Sequence, residues 1–74
     1  MSEPHIYKEV TLVGTSGQSV SDAIRRAVER AAATLRHLDW FEVQEIRGRI
    51  EDGRVAGYQV VLRVGFRLEE PEAD

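Results

Sequence analysis

Asp52-Gly53 lies between two long runs of β-patterned residues, and this dipeptide constrains the fold more than any other feature. A two-residue type I′ turn needs positive φ at both central positions, which Asp and Gly tolerate, so a tight hairpin is predicted here. The run after it, Arg54 to Leu68, alternates cleanly. Ala56, Tyr58, Val60, Leu62, Val64, Phe66 and Leu68 form one apolar face, which should receive a helix. Val55, Gly57, Gln59, Val61, Arg63, Gly65 and Arg67 form the other. The run before the turn, Trp40 to Ile50, alternates less well, because Glu42, Gln44 and Glu45 interrupt it, which leaves room for a bulge. In an unbulged hairpin Ile46 faces Gln59 and Trp40 faces Gly65.

Upstream, Ile6 to Val13 is rich in β-branched and aromatic residues and predicts a first strand. Gly14-Thr15-Ser16-Gly17-Gln18 reads as a strand-to-helix turn; it has neither the Walker lysine nor the third glycine of a dinucleotide fingerprint. Ser19 is an expected N-cap, with Asp22 three residues on as a variant capping box. Val20, Ala23, Ile24, Ala27, Val28, Ala31 and Leu35 then make one helical stripe. Arg25, Arg26, Arg30 and Arg36 read as a solvated helix face. A right-handed crossover sets the first two strands parallel. The expected fold is α+β, a βαββ unit whose three-stranded antiparallel or mixed sheet has the order 1-3-2, with one helix on one face.

Seventy-four residues form a single domain, 1–74, with loose ends at 1–4 and 70–74. A chain this short buries only about 60% of its unfolded surface. One core of this size rarely supplies more than about 3–5 kcal/mol. There is no Cys for a disulfide or a thiolate metal site, and His5 and His37 lack ligand spacing. The helix-free face also carries Val55, Val61, Trp40, Ile46 and Ile50, too apolar to leave to water. Both facts predict self-association. Net charge is −3, and removing Glu69, Glu70, Glu72 and Asp74 leaves +1, so no basic footprint for nucleic acid is present. No apolar run reaches the ~20 residues of a membrane span, and an intracellular, cytoplasmic protein is expected.

Trp40 beside Gly65 offers a flat aromatic face, and Gln59 offers both a donor and an acceptor suited to the edge of a heterocycle. Both point away from the helix, yet six strand positions separate them, about 20 Å at ~3.3 Å per residue. Copies from different subunits can converge where one chain cannot. The residues alone leave a second account open, in which Trp40 is buried in a subunit contact and Gln59 is solvated. No nucleophile–base set or paired acid and base is visible, so no enzyme is expected and no catalytic residue is assigned.

Larger segments carry a resemblance. Leu12-Val13-Gly14-Thr15-Ser16, Thr34-Leu35-Arg36-His37-Leu38-Asp39-Trp40-Phe41-Glu42-Val43, Glu45-Ile46-Arg47-Gly48, Tyr58-Gln59-Val60 and Val64-Gly65-Phe66-Arg67-Leu68 closely resemble the dodecins. The match runs from Ile6 to Leu68. It implies a hollow homododecamer that stores flavin as ring pairs stacked between tryptophans of neighbouring subunits. Trp40 and Gln59 stand at the family's stacking and ring-contacting positions. The resemblance implies Arg47 near the flavin and its phosphate, and Arg67 near the flavin or coenzyme A, which some bacterial members bind. Glu45 stands where archaeal members have a metal-linked aspartate, and Gln18 also lacks an acid found in them. The longer Glu45 beside Arg47 implies the bacterial kind, with FMN ahead of riboflavin and no assigned metal. A shell holding coenzyme A or ions, and a flavin-dependent reductase, are the alternatives.

Overall fold

The computed structural model describes residues 4–69. The expected loose ends lie outside these residues, except for Pro4. The elements run β1 (Tyr7–Ser16), α1 (Val20–Ala32), β2 (Leu38–Glu51) and β3 (Arg54–Arg67). The sheet order is β1-β3-β2, with β3 antiparallel to both neighbours. The α+β βαββ expectation holds. The hairpin turn is as predicted, with φ of 52° at Asp52 and 74° at Gly53.

β1 extends through Gly14 and Thr15, which the sequence placed in a turn. Gly14 is there for close packing. A Cβ on it would collide with the carbonyl oxygen of Ala23 and stand 3.0 Å from the Ala27 Cβ. The helix axis therefore sits close to β1, as its alanine stripe allows. Ser19 caps the helix by accepting from the Asp22 amide at 3.0 Å. Asp22 does not return the bond; its Oδ2 instead accepts from Ser16 Oγ at 2.6 Å. Ser16 Oγ in turn accepts from the amides of Gln18 and Ser19. This buried serine thus ties the strand end, the turn and the first helical turn together. The helix ends at Ala32, short of Leu35. No Gly or Pro marks that end, and the reversal into β2 is made by His37 at φ 63°.

The core is small: Ala23, Val60 and Leu62 are wholly buried, and Leu12, Val20, Ile24, Ala27 and Val28 pack around them. The helix covers β1 and β3 and barely reaches β2. Phe41, Val43 and Ile46 on the helix side of β2 stay exposed. β1 ends opposite Tyr58, so the hairpin projects beyond it, and the molecule is 62 Å long and 20 Å wide.

The register corrects one expectation. β2 and β3 are offset by an extra residue at Ala56 in β3 and by another at Gln44 in β2. Between these bulges every pair shifts by one, so Arg47 opposes Gln59 and Ile46 opposes Val60. Ile46 therefore belongs to the helix side, not to the outer face, and so do Ile50, four residues on, and its partner Val55. The two offsets cancel beyond Gln44, and Trp40 opposes Gly65 as expected.

Candidate functional site

Cross-strand partners share a sheet face, so the register places Tyr7, Trp40 and Gly65 together at one end of the helix-free face. The indole occupies the space a side chain at Gly65 would need; a Cβ there would collide with its Cε2 and Cζ2. Trp40 reaches across β3 toward Tyr7 on the far strand, with ring centroids 4.9 Å apart at 56°. It remains 40% exposed. Glycine at 65 has therefore laid the ring onto the sheet and left part of it open to a flat partner.

Arg67 lies at this end, opposite Tyr7. Its guanidinium sits 3.3 Å from His37 Nδ1, while His37 Nε2 is 3.3 Å from Glu69 and Arg36 is 3.5 Å from the same carboxylate. These pairs are solvent-exposed, where ion pairs contribute about 0–1 kcal/mol. Their role is to hold Arg67 beside the aromatic end.

Gln59, Arg47 and Glu45 gather at the other end. Arg47 Nε donates to Gln59 Oε1 at 2.7 Å, and Arg47 Nη1 donates to Glu45 at 3.0 Å. The bulges create this grouping, because the unbulged register would have put Ile46 beside Gln59. With its carbonyl engaged, Gln59 keeps its amide N–H groups for a partner. The two ends stand six residues apart on β3, about 20 Å, with the Glu9–Arg63 pair between them. Trp40 and Gln59 do not meet within one chain.

Arg49 was missed by the sequence reading. Its terminal nitrogens lie 3.9 Å from where a Gly57 Cβ would stand, so it crosses β3 much as Trp40 does at Gly65. The signal was present as Gly57 and Gly65, both on the outer alternation of β3. Only the register tells which β2 side chain each glycine admits. Arg26, Arg47 and Arg49 line a cleft of about 430 Å³ with Thr15, Gly57 and Gln59. Next to it, the Ser16 hydroxyl, with Arg25 and Arg26 beyond, holds the Asp22 carboxyl below its ordinary range against the opposing effect of burial. Among the described residues, no group of three or more His, Cys, Asp or Glu could hold a metal ion. None of their helices is long and apolar enough to cross a membrane.

The arrangement can stack one face of a flat ring at Trp40 and hydrogen-bond a heterocycle edge at Gln59. It does so at separate ends of a face that nothing among the described residues covers. A family model described as Dodecin matches residues 6–69. A dodecin from Thermus thermophilus is 63% identical over 65 residues, spanning 88% of this chain and 94% of that protein. The dodecin of Streptomyces coelicolor superposes with a TM-score of 0.88 at 56% identity, covering 95% of this chain and all of that one. A calcium-chelating dodecin from Mycobacterium tuberculosis is similar at a TM-score of 0.75 and 26% identity, covering 92% and 97% of the two chains.

Proposed function

The chain belongs to the dodecin family, and on that premise we propose that it is a non-enzymatic flavin store. It sequesters FMN-type flavins at subunit contacts of a homododecamer. The observation that carries this reading is Trp40, laid over Gly65, part-exposed, and facing away from the helix. A lone subunit would leave that indole and Val13 on the same face bare. Symmetry-related copies would cover this face and bring the Trp40 end of one subunit toward the Gln59 end of another, which the 20 Å separation within a chain prevents.

The residues fit the ring they are asked to hold. Aromatic stacking contributes about 0.5–1.5 kcal/mol beyond area burial and does not depend on ring substituents. The Gln59 amide adds directional hydrogen bonds, and Arg47 fixes its orientation by holding Oε1. Arg67, beside the aromatic end, is the second cation available to a phosphorylated ligand. Glu45 is spent on Arg47 and is not assigned to a metal. A flavin ring against indole loses its excited state rapidly by electron transfer, so storage also protects the flavin from light.

Adding excess apo-protein to FMN and following flavin emission tests the reading. Strong quenching that disappears in Trp40→Ala supports it, and undiminished emission with the native protein overturns it. Mass spectrometry of small molecules released from the native assembly separates a flavin store from a shell that holds coenzyme A.

A further inference from the structure

We propose that His37 positions Arg67, and that protonation of the imidazole frees the Arg67 guanidinium to turn toward a ring stacked on Trp40. This rests on the flavin reading above and adds the residue that decides when Arg67 is available to the ligand.

The same two residues are joined twice. The His37 carbonyl accepts from the Arg67 amide at 3.0 Å, and His37 Nδ1 lies 3.3 Å from Arg67 Nη2. His37 holds this place with φ at 63°, a backbone region that His and Asn enter more readily than most residues. Arg67 follows Gly65 on the outer alternation of β3, and Gly65 is the floor beneath Trp40. The guanidinium is therefore about 7 Å along the strand from the indole, at ~3.3 Å per residue. Its contact with His37 turns it aside, toward the loop that precedes β2.

The partners of the imidazole fix where its proton sits. A guanidinium can only donate, so Nδ1 is the bare nitrogen and Nε2–H donates to Glu69 at 3.3 Å. The neutral ring thus satisfies both neighbours. A second proton has only Nδ1 to go to, where it meets a donor of like charge. Arg67 then loses its acceptor, while the bond from Nε2–H to Glu69 becomes charge-assisted and is kept. The charged groups around the ring are Arg67 from β3, Glu69 just past it, and Arg36 from the loop, which shares the Glu69 carboxylate. One third of the His37 side chain is open to solvent, so protons reach it freely. Imidazoles take up this proton between about pH 8 and pH 5. The contact with Arg67 is therefore made at neutral pH and lost in mild acid.

Riboflavin is the probe, because it carries no phosphate to titrate over the same range. Its affinity is read from flavin emission near pH 8 and near pH 5.5 for the native chain, Arg67→Gln, His37→Asn and the double variant. In the native background Arg67→Gln should change affinity by less than about twofold near pH 8 and weaken it about fivefold or more near pH 5.5. Asparagine suits the backbone at position 37 and does not titrate. In the His37→Asn background the effect of Arg67→Gln should therefore be the same at both pH values. An effect that is already independent of pH in the native background overturns the proposal. Nitrogen-15 spectra of the imidazole in apo-protein give a second answer that needs no ligand. Near pH 8 His37 should show the Nε2–H form, and Arg67→Gln should shift its Nδ1 signal. The Nδ1–H form, which the native chain alone reveals if a variant does not assemble, overturns the proposal, as does an Nδ1 signal indifferent to Arg67→Gln. If the native chain binds no flavin, the storage reading and the turn toward a stacked ring fall together, while the spectra still decide whether His37 holds Arg67.

Discussion

The indole of Trp40 stands where a side chain of Gly65 would be. The absence of a Cβ on β3 is therefore what orients the aromatic group on β2. Gly65→Ala adds a single methyl that must displace the ring. In an ordinary strand this change would be neutral or mildly favourable, since glycine costs about 0.5–1 kcal/mol there. Here the expected outcome is a lifted indole, visible as a shifted tryptophan emission maximum, with flavin affinity reduced about tenfold or more. Native affinity with native emission would show that ring placement does not depend on Gly65.

Gln59 supplies the next prediction. Its Oε1 is held by Arg47 at 2.7 Å in a solvent-exposed pair. Gln59→Glu keeps the shape and turns this contact into an ion pair, so thermal stability should hold within a few degrees. It also removes the two amide hydrogens, leaving only acceptors for the ring edge. Flavin affinity should fall by about tenfold while tryptophan emission stays native. A loss of fold, or full retention of binding, would count against the assigned role.

Most of this architecture was legible in the residues, for reasons tied to particular positions. Asp52-Gly53 allowed only a tight hairpin, and the alternation from Ala56 to Leu68 allowed only one face to meet a helix. Trp40 opposite Gly65 was read correctly through a register that is wrong in between. The bulges at Ala56 and Gln44 cancel by the time the strand reaches Trp40. Gln44 announced itself by breaking the alternation of β2. Ala56 did not, because a small apolar residue fits either face. That one-residue shift separates Ile46 from Arg47 as the neighbour of Gln59. It also hid Arg49, whose place over Gly57 follows only from the shifted pairing. Glycine misled at Gly14, where close helix packing and a turn carry the same sequence mark.

The strand-to-helix joint predicts a pH response. The Ser16 hydroxyl, then Arg25 and Arg26, hold the Asp22 carboxyl below the usual carboxylate range. A carboxyl whose folded-state pKa is depressed stabilises the fold fully above its unfolded value. That contribution is lost as pH falls through the folded-state value. Urea midpoints should therefore drop below about pH 4 in the native chain. Asp22→Asn should start lower at pH 7 and show a shallower decline in acid. Parallel curves for the two proteins would mean that Asp22 contributes nothing to acid sensitivity.

Assembly is tested on the side of the sheet away from Trp40. Phe41 stands on β2 beside Val20, Ile24 and Val28 of the helix, lining a groove of about 490 Å³ that no other described residue fills. Half of Phe41 is already exposed, so Phe41→Ser removes little buried area from the isolated subunit and should leave its circular dichroism unchanged at low temperature. If a second subunit fills the groove, the same change removes an aromatic anchor from the contact, and such anchors dominate interface energetics. The native chain should then run as a particle of about twelve subunits in light scattering, with a thermal midpoint that rises with protein concentration. Phe41→Ser should shift the mass toward monomer. An unchanged mass for the variant would place the subunit contact elsewhere, and a native monomer would remove the covered face on which flavin storage depends.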